Sequence, residues 1–543
     1  MNRKVVSVRN PWWKGASIYQ IYPRSFCDSN ADGIGDLNGI HAKLSYIADL
    51  GVEAIWISPF FKSPMMDFGY DISDYRKVDP VFGNLADFKR LLKEAHRLGL
   101  KVIIDQVLSH TSDQHAWFEE SRSSKSNARS DWYVWADSKP DGSAPNNWLS
   151  LFGGQAWTWD SRRQQYYLHN FLNSQPDLNY HNPEVRQAQL DNVKFWLELG
   201  IDGFRFDVVN FYYHDQKLTD NPARKVNELK ALSVSSDNPY SRQRHEHDIT
   251  QLENLPFLEE LRGLLNAYGD TTSIGEISDD SPLQTMATYT SGGDKLHMAY
   301  TFDLLTPEFS ADYIRNIIRN TEASIGDGWP CWAASNHDVI RHNSRWGNEQ
   351  CASFAKMTLA LLMSMRGSVC IYQGDELGLP QANVPYESLK DPYGFPFWPE
   401  YQGRDGCRTP MPWDGSAGAG FSDGTPWLPI SDEHRILSVE AQIAGTDSVL
   451  AFSRRLLEWR KSQPALVYGD LSLNENDGDV VSWIRSCERQ KILVVINTGA
   501  IEQDYELLHS GDIISQNLGF TVHLERGNIK LAAFQAVYIE LNE

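Results

Sequence analysis

The sequence predicts an α/β protein built on a (β/α)8 barrel, the TIM-barrel architecture, with one inserted domain and a C-terminal antiparallel β-sandwich. Short β-branched or aromatic runs alternate eight times with polar or amphipathic segments, which is the pattern of a parallel barrel. A stretch rich in Trp, Asn, Gly and Pro interrupts this alternation after the third strand. After Pro464 the pattern changes to short alternating strands, which indicates a separate β domain.

Eight segments are predicted as barrel strands. In chain order they are residues 17–23, 52–59, 101–107, 201–207, 271–277, 296–304, 330–338 and 368–376. Between them, residues 84–100 and 189–200 carry apolar side chains at i, i+3 and i+4 and end close to a glycine, as amphipathic helices do.

These patterns divide the chain into four parts. Residues 1–109 and 181–465 form the two parts of the barrel, residues 110–180 form the inserted domain, and residues 466–543 form the C-terminal β domain. Residues 211–255 are too polar and aperiodic to assign, and we interpret them as a mobile lid over the site.

The composition excludes several classes of protein. The 543 residues include 50 Lys and Arg against 71 Asp and Glu, and a charge of −21 repels phosphate backbones, so no nucleic-acid partner is expected. No run approaches the roughly 20 apolar residues that cross a bilayer, and the segment MNRKVVSVRNPWW lacks the apolar stretch of a signal peptide. Six scattered cysteines predict reduced thiols in a cytoplasmic protein. We expect a monomer or a weak homo-oligomer.

The segment DGFRFDVVN, residues 202–210, places charged side chains in a predicted buried strand. Arg205 and Asp207 are two positions apart and therefore lie on one face of that strand. Catalytic groups of a (β/α)8 barrel project from the C-terminal ends of its strands. Other predicted strand ends also carry polar residues, namely Asp105 and His110, Glu276, and Asn336, His337 and Asp338.

Carboxylates from several strands are thus expected to converge at one mouth, which indicates cleavage of a glycosidic bond. A single buried Asp at a strand end is more often structural, and the number of carboxylates here favours a catalytic site. Arg205 should lower the pKa of Asp207 and keep it ionised, which suits a nucleophile. Glu276 has no neighbouring arginine in the sequence, so nearby carboxylates should raise its pKa and keep it protonated, as a general acid requires.

Five segments of the chain resemble, in order and spacing, the conserved segments of the α-amylase family of glycoside hydrolases. They are DQVLSH (105–110), QPDLN (175–179), GFRFDVVN (203–210), GEI (275–277) and SNHD (335–338). The resemblance implies Asp207 as nucleophile, Glu276 as acid/base and Asp338 as stabiliser of the oxocarbenium-like transition state. It also implies hydrogen bonds to the sugar from Arg205, His110 and His337.

Within that family, DFGYD (67–71), YQGDELG (372–378) and GRDGCRTPMPW (403–413) resemble the exo-acting α-glucosidases and oligo-1,6-glucosidases. The resemblance implies that Asp67 and Arg404 close the pocket around a terminal glucose and that Tyr70 stacks on it. Phe152 and Phe171 of the inserted domain would line the same pocket, whereas without the resemblance core packing is the better interpretation of these aromatic residues. A closed pocket implies removal of one terminal glucose at a time.

The segment DSNADGIGD, residues 28–36, places oxygen-bearing side chains at alternate positions, which suits Ca²⁺. It is not an EF-hand loop, because position twelve is Gly39. It resembles the calcium loop after the first barrel strand of oligo-1,6-glucosidase-like proteins, and a solvated acidic turn is the alternative. The implied ligands of a structural Ca²⁺, for which Mg²⁺ could substitute, are Asp28, Asn30, Asp32, Asp36 and the carbonyl of Ile34.

The bond that is cut is predicted from one residue. In the α-glucosidase group, Val after the nucleophile goes with α-1,6 cleavage and Thr or Ala with α-1,4 cleavage, and this chain has Val208. We therefore expect a retaining exo-α-glucosidase of short oligosaccharides that leans to α-1,6 linkages, with α-1,4 activity open. Transfer of glucose to acceptors other than water is also expected.

Alternatives stay open at this stage. A sucrose-acting hydrolase, transglucosylase or isomerase would share the site, although the RLDR-type motif of isomerases is absent from the sequence. A trehalose-phosphate hydrolase would gather basic residues around the outer subsite, and none are evident. A non-catalytic relative, acting as a binding or transporter-associated protein, would lack the carboxylates and carry a membrane helix.

Overall fold

The computed structural model describes residues 10–225, 234, 237–475, 478–520, 522–525 and 527–542. Eight parallel strands run through the first two thirds of the chain. They are β1 (Ser17–Ile21), β2 (Ala54–Ile57), β3 (Lys101–Gln106), β4 (Gly203–Phe206), β5 (Thr272–Glu276), β6 (Met298–Tyr300), β7 (Cys331–Trp332) and β8 (Ser368–Tyr372). Their order in the sheet is β6-β5-β4-β3-β2-β1-β8-β7. A parallel bridge between Ala299 of β6 and Pro330, next to β7, joins the two ends of this order, so the sheet closes into the predicted barrel.

One helix follows each strand on the outside of the barrel. These helices are α1 (Leu37–Leu50), α2 (Leu85–Arg97), α3 (Pro183–Glu198), α4 (Asn254–Asn266), α5 (Pro282–Thr290), α6 (Ala311–Ser324), α7 (Ala352–Ser364) and α8 (Val449–Lys461). Their ends follow local chemistry. Asn84 and Asp87 form a capping box at the start of α2, and Gly51 ends α1 in the left-handed region at φ 92°.

The strand β4 alternates between two environments. Phe204 and Phe206 belong to the apolar layer between the strands and the helices. The barrel interior holds a second apolar cluster that includes Trp56, Ile103 and Ile274. Arg205, which is 0% exposed, points inward because successive side chains of a strand face opposite sides. An arginine in this interior needs carboxylate partners, and the strand ends supply them.

The insertion between β3 and α3 folds as a small unit on top of the barrel. It contains a helix (Ala116–Ser123) and a three-stranded antiparallel sheet (Trp135–Ala136, Trp157–Asp160 and Gln165–Leu168). Two bridges, from His110 to Asp177 and from Tyr133 to Leu178, tie the two ends of the insertion together beside the barrel mouth. A further strand pair, Phe61–Lys62 with Asp74–Val78, follows β2.

The C-terminal domain consists of two antiparallel sheets. One contains Asp470–Leu473, Val480–Cys487, Gln490–Asn497, Ala536–Leu541 and Gly511–Ile513, and the other contains Gln503–Glu506, Asn528–Leu531 and His523–Glu525. Trp483 donates its indole N–H to the carbonyl of Ser364, and Tyr538 donates its hydroxyl to the carbonyl of Ala360. The domain is therefore fixed to helix α7 by buried hydrogen bonds, and the predicted fold class is confirmed.

The loop that follows β4 has little regular structure. Its described part contains one short turn of helix, Pro239–Arg242. Residues 226–233 and 235–236 lie outside the described residues, so the lid interpretation of 211–255 stays a prediction, as do the domain boundaries. Short helices elsewhere are His342–Arg345, Asp432–Ile436, Val439–Ile443 and Pro464–Tyr468. None of the helices within the described ranges is long and apolar enough to span a bilayer.

Candidate active site

Arg205 holds three carboxylates at the mouth of the barrel. Its Nη1 donates to Asp105 at 2.8 Å and to Asp207 at 2.6 Å, and its Nη2 lies 2.6 Å from Glu276 Oε2. The three acids come from the C-terminal ends of β3, β4 and β5. The guanidinium bridge therefore fixes the relative positions of the two predicted catalytic carboxylates, Asp207 and Glu276.

Glu276 has further donors besides Arg205. The hydroxyl of Tyr300 donates to its Oε1 at 2.9 Å, and the backbone N–H of Val208 donates to its Oε2 at 3.2 Å. Val208 has φ 34°, which is strained for a β-branched residue. This conformation directs the peptide N–H that follows Asp207 towards Glu276, so the strain and the carboxylate pair are part of one arrangement.

The pKa of Asp207 corrects the expectation from the sequence. Burial raises the pKa of Asp207 to about 7 against the lowering effect of Arg205, and the Asp105 carboxylate adds to the rise. Burial also raises the pKa of Glu276 to about 7, again against Arg205. The sequence does not predict the contact between Arg205 and Glu276, because no arginine is near Glu276 in sequence. One guanidinium shared by three acids does not hold Asp207 in the fully ionised form.

Asp338 has a different environment, with two arginines on one oxygen. Arg404 Nη1 donates to Asp338 Oδ1 at 3.1 Å, and Arg408 Nη2 donates to the same oxygen at 2.9 Å. Burial opposes ionisation, but His337 and these arginines hold the pKa of Asp338 well below its usual range. Asp338 is therefore an anion throughout the neutral range, as a stabiliser of positive charge must be.

The two histidines are buried and neutral. Burial lowers the pKa of His337 well below its usual value, and it lowers that of His110 to about 4. The ring of His337 stacks on Tyr70 at 5.1 Å between centroids, and Gln20 donates to its Nδ1 at 2.9 Å. His110 donates from Nε2 to the carbonyl of Tyr70 at 3.1 Å. These contacts fix the orientation of the ring nitrogens that are predicted to face the sugar.

A buried ion pair extends the group of charges around Asp338. Arg404 Nη2 donates to Asp67 Oδ1 at 2.7 Å, and both side chains are 5% exposed. Gln175 donates to the other oxygen of Asp67 at 3.1 Å, and Asp391 accepts from Arg404 Nη2 at 2.7 Å. These charge-assisted bonds hold Asp67 and Arg404 in fixed positions, and their closing of the pocket stays a prediction.

A cavity of about 650 Å³, counted with its open mouth, lies above these groups. Its lining includes the predicted residues Asp67, Tyr70, His110, Phe152, Phe171, Asp207, Glu276, Asp338 and Arg404. Arg205 and His337 lie directly behind this lining, in contact with Asp207 and Asp338. The structure brings the predicted residues together, and their individual roles stay predictions.

The sequence reasoning missed several residues of the site. Gln175 and Arg408 lie inside segments that carry the resemblance, QPDLN and GRDGCRTPMPW, but the motifs did not single them out. No sequence motif points to Tyr300, Asp391 or Tyr393, because the residues around them are those of an ordinary loop or strand. The residues that they contact in the site are distant along the chain, so the sequence does not place them there.

The predicted calcium loop is held together by its own hydrogen bonds. Asp28 accepts backbone N–H groups of Asn30 and Gly33, at 2.9 and 2.8 Å. Asp36 caps helix α1 by accepting the N–H of Gly39 at 2.7 Å. In this conformation the carboxylates are not gathered: across the described part of the chain, no set of three or more Asp, Glu, His or Cys side chains is arranged to hold a metal ion. The Ca²⁺ site, including Asp32 and Ile34, stays a prediction.

Converging carboxylates in a pocket at the mouth of a (β/α)8 barrel are the arrangement of a glycoside hydrolase. The chain belongs to the α-amylase family: the model "Alpha amylase, catalytic domain" matches residues 20–469. It is 51% identical over 548 residues to a "Probable alpha-glucosidase" of Rhizobium meliloti (strain 1021), with 100% of each chain covered. The enzyme is an α-glucosidase of this family that acts on small sugar substrates.

Two further similarities bear on its specificity. The chain is 37% identical over 522 residues to an "Oligo-1,6-glucosidase" of Parageobacillus thermoglucosidasius, with 90% of each chain covered. Among solved structures it is similar to an "alpha-glucosyl transfer enzyme, XgtA", with 55% identity and a TM-score of 0.97, over 98% of this chain and 100% of that chain.

Proposed function

We propose that the protein is an exo-acting, retaining α-glucosidase that removes one glucose at a time from the non-reducing end of short oligosaccharides. The observation that supports this proposal is the buried pair of Arg404 and Asp67, 2.7 Å apart in the pocket lining, which would close the inner end of the pocket. A chain that continued beyond this end would have to displace a buried ion pair, which is costly because the charges would lose their partners.

The proposed chemistry is a double displacement. Asp207 attacks the anomeric carbon C1 while Glu276 gives its proton to the leaving oxygen. In the second step, the oxygen of water or of an acceptor hydroxyl bonds to C1, the ester bond between Asp207 and C1 breaks, and Glu276 takes the proton from that water or hydroxyl. Asp338, held as an anion by two arginines, would stabilise the oxocarbenium-like transition state. The shared guanidinium of Arg205 favours the short carboxyl separation, about 5 Å, of retaining enzymes over the longer one of inverting enzymes.

We also propose a lean to α-1,6 linkages, with transfer activity. Val208, which lines the pocket beside Asp207, supports the preference for α-1,6 linkages, and so does the name of the oligo-1,6-glucosidase relative. The α-glucosyl transfer enzyme, similar along nearly the whole chain, supports transfer.

A structural Ca²⁺ in the loop 28–36, a monomeric or weakly associated state and a cytoplasmic location complete the proposal. The free thiol state of all six cysteines favours that location.

The test is glucose release from isomaltose, maltose, sucrose and trehalose under identical conditions, with p-nitrophenyl α-glucoside as the reference substrate. We expect isomaltose to lead, starch to be a poor substrate, and the first product to be α-glucose by NMR. Asp207→Asn should abolish turnover while the protein stays folded by circular dichroism. Leading activity on maltose or sucrose would remove the linkage proposal alone, whereas an active Asp207→Asn variant or an initial β-glucose product would remove the mechanism.

A further inference from the structure

Asn238 joins three segments of the chain beside the pocket. It lies in the loop after β4 and is 1% exposed. Its Nδ2 donates to the carbonyl of Leu151 at 2.7 Å and to the hydroxyl of Tyr393 at 3.1 Å. Its Oδ1 accepts the backbone N–H of Tyr240 at 3.0 Å. One side chain thus connects the inserted domain, the loop after β4 and the long connection between β8 and α8.

Tyr393 is held on its ring face and at its hydroxyl. Its ring stacks on Phe152 at 4.6 Å between centroids and 21° between planes, and the Arg404 guanidinium lies 5.0 Å from the Phe152 ring. Stacking permits sliding within the plane of the rings, whereas a hydrogen bond has a preferred distance and direction. The hydrogen bond from Asn238 therefore fixes the position of the Tyr393 ring relative to the pocket.

The Tyr393 ring forms a wall between two cavities. On one side is the pocket that contains Asp207 and Glu276. On the other side is an outer groove of about 1620 Å³, counted with its open side, which Asp338 and Asn238 also line. The aromatic side chains of this groove are Phe397, Trp398 and Tyr401. The groove begins where the bond would be cut, so a leaving group or an acceptor would occupy it.

We propose that Asn238 is a positioning residue that sets the partition of the glucosyl-enzyme between an acceptor and water, through Tyr393. The inference rests on the proposed function. In transfer, the ester bond between Asp207 and C1 breaks as the acceptor oxygen bonds to C1, and the acceptor hydroxyl gives its proton to Glu276. An acceptor gains from a fixed wall that orients it, because orientation raises its effective concentration. Water, which is small and abundant, does not depend on that wall.

The experiment uses p-nitrophenyl α-glucoside as donor and cellobiose as acceptor, because an α-glucosidase does not cut the β-linkage of cellobiose. Released p-nitrophenol counts every turnover and released glucose counts hydrolysis alone, so the difference measures transfer. We expect Asn238→Ala to lower the ratio of transfer to hydrolysis about fivefold, the effect of losing one hydrogen bond. Tyr393→Phe, which keeps the ring and removes the hydroxyl, should lower it similarly, and the double variant should be no worse than either.

Asn146→Ala is the matched control. Asn146 is a buried asparagine that also ties the inserted domain to the loop after β4, by donating to the carbonyl of Leu218 at 3.1 Å. It does not contact Tyr393, so its loss should lower the melting temperature and leave the ratio unchanged. A ratio that is unchanged in Asn238→Ala, or that falls equally in Asn146→Ala, overturns the proposal, as does a wild type without transfer product. A wild type that releases no p-nitrophenol instead refutes the proposed function.

Discussion

Replacing Glu276 by Gln removes one of the three carboxylates that surround Arg205. The glutamine has nearly the same shape. Its one side-chain oxygen can take the place of Oε2 and accept the backbone N–H of Val208, while its NH2 group takes the place of Oε1 beside the hydroxyl of Tyr300. Burial raises the pKa of Glu276 from 4.5 to about 7, so the folded protein holds this group in its charged form only at a cost. The neutral glutamine does not have that cost.

The sign and the size follow from proton linkage. Because the folded pKa is above the unfolded value, the stability contributed by Glu276 is fully present below pH 4.5 and is lost as the pH rises to about 7. The shift corresponds to about 3 kcal/mol of unfolding free energy, or about 3 °C in a chain of this length. Removing one negative charge also makes the ionised form of Asp207 less costly, which acts in the same direction.

The assay is a melting curve of wild type and Glu276→Gln at pH 5 and pH 8. Because part of this stability is already lost at pH 5, we expect the melting temperature of the variant, relative to that of the wild type, to rise by about 2 °C from pH 5 to pH 8. The variant should also lose nearly all activity on isomaltose. Glu259→Gln, on the exposed surface of α4, is the control for a loss of charge alone. A difference between variant and wild type that does not change with pH would refute the account of the three carboxylates.

Three further predictions concern other parts of the molecule. Arg404→Ala should lower kcat/KM for p-nitrophenyl α-glucoside about 10- to 100-fold, since charge-assisted bonds to Asp67 and Asp338 are lost; an unchanged value would mean that the ion pair does not shape the pocket. Val208→Thr should raise the maltose-to-isomaltose ratio of kcat/KM, by about tenfold at most; the opposite change would contradict the linkage argument. Removing Ca²⁺ with EDTA should lower the melting temperature by about 2 to 3 °C, at saturation near 100 Kd, and Asp32→Asn should no longer respond. An Asp32→Asn variant that responds like the wild type would remove the loop from the proposal.

The barrel was predictable because its signals are local. Each of the eight strands falls within a segment defined by its β-branched or aromatic side chains, and α2 lies within 84–100, between its capping asparagine and Gly99. The main error of extent is at the sixth and seventh strands. The segments 296–304 and 330–338 were read as whole strands, but pairing ends at Tyr300 and Trp332. The polar residues that follow leave the sheet to form the site.

The electrostatics of the site were only partly predictable. The pair Arg205 and Asp207 is visible in the sequence because its members are two residues apart. The other two partners of that arginine are distant in sequence: Asp105 is 100 residues before it and Glu276 is 71 residues after it. Burial is the main cause of the raised pKa of Asp207, and Asp105 and Asp338 add to it against the effect of Arg205. The sequence neighbour Arg205 alone therefore predicts the wrong direction.

The proposed closed end of the pocket has a consequence for how substrate enters and glucose leaves. In the proposed pocket, which the Asp67–Arg404 pair closes at one end, glucose would leave along the outer groove through which the next molecule arrives. Product and incoming substrate then exclude one another. As glucose accumulates, it should act as a competitive inhibitor and also as an acceptor, so that the enzyme begins to rebuild disaccharides from the monosaccharide it has released.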